Sequence, residues 1–253
     1  MPGIVFGSDG VLAETELDGH LPAFNATFEK FGLPARWSEE RYGELLAVRG
    51  GKERMASLWD DEKLVDEAGL PRKDKARREL LARWHKDKTK RFKKLVAQGK
   101  IRVRPGVARL AADAAEAGWS LAVASASAEG SARRVLEHVV GVVAAKRFEV
   151  LAGDVVPDKK PDPGIYKLAI ERLGLPPEDV LVIEDSRPGL LAADGAGLRC
   201  LVTVSYFTRD HDFSEAAGVV TSLGDEGHPA RVLAGPRLAG PVVTLDDVEV
   251  YLR

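Results

Sequence analysis

The sequence predicts an α/β fold, a doubly wound parallel sheet interrupted after its first strand by an all-helical insertion. Three observations predict it. Short apolar runs over residues 4–6, 120–124, 148–152, 180–183 and 200–204 each end in polar or glycine-rich breaks. Helical patterns separate the last four of these runs, and strands alternating with helices argue for a parallel sheet. Residues 16–98 instead show apolar spacings of three and four, as at Leu21, Phe24, Phe28 and Phe31.

Taken in order, Ile4-Val5-Phe6 is a short buried strand broken at Gly7-Ser8-Asp9-Gly10. Side chains just past such a strand lie in the crevice where open α/β sheets bind ligands. Leu21, Phe24, Phe28 and Phe31 then mark a helix stopped by Gly32 and Pro34. Gly50-Gly51 marks a turn before a helix over 52–58, and Leu81, Trp84, Phe92 and Leu95 share one apolar face of a basic helix ended by Gly99. The expected division is therefore a helical unit at 16–98 within a core of 1–15 and 99–253. In that core, Arg104-Pro105-Gly106 opens a helix of small residues through Ala117. Further helices are expected over 131–139 and 164–173 and from 190 to 196. The run at 200–204 is expected to close the pattern; the tail from Gly218 is rich in Gly and Pro and only weakly periodic over 242–252.

Composition narrows the class. A hydrophobic content of 45% with 30% charged residues is that of an ordinary soluble domain, neither disordered nor membrane-embedded. Cys200 is the single cysteine, which excludes an internal disulfide and suits a reducing compartment. No apolar run reaches membrane-spanning length and no signal-peptide pattern opens the chain, so a cytoplasmic protein without membrane contact is expected. The net charge of -2 hides an asymmetry: residues 72–102 carry 14 Lys/Arg against 3 Asp/Glu. A solvated amphipathic helix explains this most simply; attraction of a doubly phosphorylated ligand is the functional alternative. Nucleic acid is not expected, because no recognition motif accompanies the charge.

The residues that carry chemistry sit after the strands: Asp9, Ser125, Lys160 and the pair Glu184-Asp185. A parallel sheet brings them to one edge. Phosphoryl transfer needs this inventory of cation, hydroxyl donor, acid/base and nucleophile, and adjacent carboxylates suit Mg²⁺. Singly, each has a bland reading: Glu184-Asp185-Ser186 as a helix cap and Lys160 as a surface residue. Together, on successive strand ends, they favour the functional one.

These positions resemble the four motifs of the haloacid-dehalogenase superfamily. Ile4-Val5-Phe6-Gly7-Ser8-Asp9-Gly10-Val11-Leu12 resembles motif I, Ser125 the motif II hydroxyl, Lys160 before Pro161-Asp162-Pro163 the motif III lysine, and Glu184-Asp185-Ser186 motif IV. Within the superfamily the chain is most similar to the CbbY-type sugar-bisphosphate phosphatases, relatives of β-phosphoglucomutase. The marks are Ala13-Glu14-Thr15-Glu16 with His20, residues 42–54 with Gly50-Gly51-Lys52-Glu53-Arg54, and Tyr206-Phe207-Thr208-Arg209 with Asp212-Phe213.

The resemblance implies a Rossmann-like core with a helical cap, acting on a small phosphorylated sugar, xylulose 1,5-bisphosphate in the family, with Mg²⁺ as cofactor and as a monomer. It assigns Asp9 as acid/base, with Ser125 and Lys160 also catalytic. The metal is assigned to the Asp9 carbonyl, Glu184 and Asp185. Substrate binding falls to Glu16, His20, Tyr42, Gly50, Gly51, Lys52, Arg54 and Ser127.

One position departs from the pattern. The family's nucleophilic Asp falls on Gly7, which offers no side chain, and Ser8 should face the other way because alternate strand residues point to opposite sides. The sequence therefore leaves open an enzyme lacking its attacking group and a phosphosugar-binding protein without turnover. A phosphomutase, the weaker alternative, needs the same missing Asp.

Overall fold

A computed structural model describes residues 1–48 and 50–253. Arg49, inside the block at 42–54, lies outside the described residues. The chain divides into two compact units, Met1–Glu14 with Arg102–Arg253, and Thr15–Ile101.

The first unit is built on a seven-stranded sheet. Its strands are β1 (Gly3–Gly7), β2 (Ser120–Ser125), β3 (Phe148–Ala152), β4 (Val180–Glu184), β5 (Arg199–Thr203), β6 (Gly218–Val220) and β7 (Val232–Ala234), in the order β3-β2-β1-β4-β5-β6-β7. All neighbours are parallel except the antiparallel β6–β7 pair. The order reverses between β1 and β4, the switch point at which such sheets open a crevice beyond their carboxyl ends.

Ile4, Val5, Phe6 and the residues Val180, Leu181, Val182 and Ile183 have no exposed surface. A strand covered on both faces reads as an unbroken apolar run, which is why the sequence announces it. Val5, Val180, Val182 and Cys200 share a core cluster with Ile165, Tyr166 and Ala169 of one helix and Leu190, Ala192 and Ala193 of another.

The helical complement follows the expected breaks. In the second unit these are α1 (Leu21–Lys30), α2 (Glu39–Leu45), α3 (Gly51–Ala56), α4 (Glu62–Glu67) and α5 (Asp74–Ala97). In the first they are α6 (Val107–Glu116), α7 (Glu129–Val140), α8 (Val142–Ala145), α9 (Gly164–Leu173), α10 (Arg187–Gly195) and α11 (Leu245–Leu252). No described helix is long and apolar enough to cross a membrane.

Two expectations are corrected. The sheet does not close at β5, because β6 and β7 extend it and α11 packs on β4 and β5. Strands of three residues fall below the length at which an apolar run is legible. The start of α11 was legible, since Thr244 and Asp247 form a reciprocal capping box. The buried stripe of α5 is Trp84, Lys88, Phe92 and Val96, at spacings of four, with Leu81 and Leu95 only half-buried. Lys88, expected on the solvated face, is 6% exposed.

The chain leaves and re-enters the core at one place. Ala13 pairs with Val103, the Glu14 N–H donates to the Arg102 carbonyl at 2.9 Å, and the Arg104 N–H donates to Leu12 at 3.0 Å. The Arg104 guanidinium then binds Glu14 at 2.6 Å and the carbonyls of Val204 and Thr221 at 2.7 and 2.9 Å. Gly106 caps α6 with φ 84°, and a Cβ there would lie 2.3 Å from the Gly224 carbonyl oxygen. Gly106→Ala is therefore expected to destabilise the protein by at least about 1–3 kcal/mol, the strain of a disfavoured backbone alone. Urea unfolding checks this, and an unchanged midpoint would mean that the loop yields freely.

Candidate active site

The core residues singled out by sequence lie at the ends of β1, β2 and β4 and in the loop before α9. Strand β1 ends with Gly7 paired to Ala124 and runs into a tight turn in which Leu12 N–H donates to Ser8 and Gly10 N–H to Ala13, both at 3.0 Å. Gly10 has φ 72°, and a Cβ on it would fall 2.0 Å from Asp185 Oδ2. Glycine is what lets the Asp185 carboxylate rest against the turn. Asp9 Oδ2 accepts from Ser127 Oγ at 2.9 Å, and Ser125 Oγ accepts from the Ser127 N–H at 3.1 Å.

Across the switch point, Glu184 is 2% exposed and Asp185 8%. Glu184 Oε1 accepts short hydrogen bonds from Lys160 Nζ and the Tyr166 hydroxyl, and Oε2 accepts from the Asp185 N–H at 3.1 Å. Lys160 Nζ also donates to the Ala124 carbonyl at 3.1 Å and to Tyr166 at 3.0 Å. Asp185 Oδ2 accepts from Ser205 Oγ at 2.7 Å. Burial, and then the neighbouring Glu184 charge, push the Asp185 carboxyl well above the usual carboxylate range. The same two causes raise the Tyr166 hydroxyl, which therefore stays a donor.

A Cβ built on Gly7 would meet Val11 Cγ2 at 2.9 Å and Glu184 Oε1 at 3.1 Å. A side chain at position 7 would therefore need Val11 and Glu184 to give way. Ser8 is buried, and its hydroxyl has no hydrogen-bond partner among the described residues.

In the helical unit the expected binding residues fall into two groups. Glu16 accepts a short hydrogen bond from the Tyr42 hydroxyl and a longer one, at 3.4 Å, from Arg54 Nη1. Arg54 Nη1 also donates to Tyr42 at 2.9 Å, and its Nε to the Val48 carbonyl at 3.0 Å. Arg54 thus braces Glu16 and Tyr42 rather than standing open at the Gly50–Gly51 turn. His20 belongs to the second group: it stacks on Phe92 with centroids 4.1 Å apart, and Lys88 Nζ lies 2.8 Å from its Nδ1. Gly50 precedes α3, Gly51 begins it next to His85, and Lys52 is exposed.

The family model for haloacid dehalogenase-like hydrolases matches residues 1–197. The chain belongs to the haloacid dehalogenase-like hydrolases. Within that family it is a phosphatase of the CbbY type. It is 42% identical over 240 residues to protein CbbY of Cereibacter sphaeroides, covering 94% of this chain and 98% of that one. The fold is similar to crystal structures of CbbY from Rhodobacter sphaeroides, at TM-score 0.76 and 40% identity over 88% of this chain and 95% of the other. One of those structures holds phosphate, and another, of a mutant, holds xylulose-(1,5)bisphosphate at the same score and coverage.

Haloacid dehalogenase-like hydrolases generally use Mg²⁺, and the residues here fit that ion by donor type. Two adjacent buried carboxylates repel each other, and a hard cation with oxygen ligands relieves that repulsion. Among the described residues no three His, Cys, Asp or Glu side chains converge as a metal cluster. The donors that fit are the neighbouring carboxylates of Glu184 and Asp185.

Four further residues join these groups: Tyr166 and Ser205 in the core, Lys88 and His85 in the helical unit. Ser205 was findable, since it follows a strand as Ser125 does. The others are set by packing. His85 is lowered from 6.5 to about 4, chiefly by burial and then by the positive charges of Lys88 and Lys52; Glu53 opposes and His20 adds to the effect. A base whose folded pKa is depressed leaves the unfolded state binding more protons, so His85 makes stability fall as pH drops from about 6.5 towards about 4. His85→Gln is expected to flatten the melting temperature across that window relative to the parent. Parallel curves for the two proteins would remove His85 from the acid response.

Proposed function

We propose that this chain is a sugar-bisphosphate phosphatase built for xylulose 1,5-bisphosphate and Mg²⁺, in which the step needing an attacking carboxylate is lost at Gly7. The observation that carries this reading is the convergence of Asp9, Ser125, Lys160, Glu184 and Asp185 on the ends of β1, β2 and β4 and the adjoining loop, each with a hydrogen-bond partner that orients it. The substrate is supported by the CbbY structure that holds xylulose-(1,5)bisphosphate.

In this reading Asp9, steadied by Ser127, gives a proton to the leaving oxygen and would later take one from water. The Ser125 hydroxyl and the Lys160 ammonium meet the nonbridging phosphoryl oxygens. Glu184, Asp185 and the Asp9 carbonyl would hold Mg²⁺, which would supply charge neutralisation to the phosphoryl group. Ser127 contributes to substrate binding as well as to Asp9. In the helical unit Glu16 accepts from sugar hydroxyls, its orientation fixed by Tyr42 and Arg54, while His20, Gly50, Gly51 and Lys52 take the second phosphate.

The family route passes through an aspartyl-phosphate, and removal of a nucleophile costs orders of magnitude in rate. One observation favours a second reading, a phosphosugar-binding protein without turnover: even a Cβ at position 7 would crowd Val11 and Glu184.

Gly7→Asp separates the two. The backbone there is extended strand and free of positive φ, so aspartate meets no backbone strain. Val11 must turn and Glu184 shift, and Gly7→Asp with Val11→Ala relieves the tighter contact. Phosphate release from xylulose 1,5-bisphosphate and an aryl phosphate is expected to rise by several orders of magnitude over the parent and to need Mg²⁺. Variants that fold and bind Mg²⁺ yet release none in either background would establish binding without turnover.

Lys52→Ala tests the helical unit. If Lys52 takes the second phosphate, the variant should lose about 1.5–3 kcal/mol more binding energy for the bisphosphate than for the monophosphate, the worth of one charge-assisted contact. Equal losses by calorimetry would take Lys52 out of that role.

A further inference from the structure

We propose that the core unit carries a second binding site, for a small polyanion bearing phosphate or carboxylate groups, in a cleft apart from the strand-end cluster. The cleft has a volume of about 450 Å³ and is walled by Arg102, Arg104, Arg209, Arg231, Tyr206 and Leu233. That volume lies within the ~300–1,000 Å³ of small-molecule sites. None of Gly7, Asp9, Ser125, Lys160 or Glu184 lines it, nor does any residue of the helical unit.

Charge decides what it takes. Four guanidiniums face one carboxylate, Glu14. Arg104 and Glu14 form a largely buried ion pair, 11% and 14% exposed, so Glu14 is neutralised and Arg104 is committed to the wall. Arg209 and Arg231 are exposed and form no ion pair with a carboxylate among the described residues. Converging guanidiniums repel one another unless an anion sits between them, and their planar forks match the oxygens of phosphate and carboxylate.

A solvated arginine on a convex surface would be unremarked. Here the charges share a concavity with two apolar side chains that are also open to solvent, Tyr206 at 37% and Leu233 at 57% exposure. Arg209 lies over the Tyr206 ring with its guanidinium carbon 4.7 Å from the centroid, which pre-orients its fork. The exposed side chains of the segment Tyr206-Phe207-Thr208-Arg209 thereby gain a role.

The cleft also touches the catalytic set through one residue. Ser205, in its lining, donates to Asp185, and its own N–H donates to Thr208 Oγ1 at 2.9 Å. An anion gripped by Arg209 therefore engages the loop that orients Asp185.

The test is calorimetric titration of the full chain with sodium pyrophosphate and, separately, citrate, which distinguishes phosphate from carboxylate recognition. Saturable binding that weakens with added salt is expected. Arg209→Ala with Arg231→Ala should weaken it at least about ten-fold, and Arg209→Lys with Arg231→Lys should recover part of the loss. Lys52→Ala with Ser127→Ala should leave it in place. Three results would overturn the proposal: no saturable binding of either anion, undiminished binding by the folded double-alanine variant, or loss of binding in the Lys52 and Ser127 variant, which would place the anion in the candidate active site only.

Discussion

A buried carboxylate has to be compensated where it stands, and the end of β4 is arranged around compensating Glu184. Lys160, Tyr166 and the Asp185 N–H all converge on it. Lys160 is thereby fixed in reach of the Ala124 carbonyl at the end of β2. Tyr166 anchors the same carboxylate to the apolar cluster beneath α9 and α10. Two strand ends and the loop before α9 are tied together by one charge, and the cost of burying that charge is offset only while all the partners stay in place. The network that orders the site runs through Glu184.

Much of the core was legible because its strands are covered on both faces. Residues 180–183 could be read as a strand from four apolar residues and the polar break that follows. The order of strand ends then placed Asp9, Ser125, Lys160 and Glu184 on one edge with no knowledge of contacts. What escaped was set by packing. Tyr166 reads as an ordinary core aromatic of α9, and only the third dimension turns its hydroxyl towards Glu184. Lys88 reads as one of many cations on a basic helix, though its spacing from Trp84 and Phe92 puts it in the buried stripe. A charged residue in apolar register is assigned to the surface by habit, because such residues are seldom buried.

The two units handle charge in different ways. In the core, carboxylates are matched by a lysine, a tyrosine and serines, each within hydrogen-bonding distance. In the helical unit, Lys88 sits 4.4 Å from the Phe24 ring centroid and beside His20, and His85 is kept neutral near it. The aromatic faces and the imidazole help to hold the ammonium in place.

The bridge of Ala13 with Val103 and the bond from Glu14 to Arg102 have a consequence for how such a chain can change over time. To the sheet, the whole segment Thr15–Ile101 is a loop whose ends are already stitched together. Closing a loop costs free energy that grows only with the logarithm of its length, so a stitched opening tolerates inserts of very different size. The sheet can therefore keep its strand order while the inserted segment is exchanged, lengthened or rebuilt, because the stitched ends belong to the core itself.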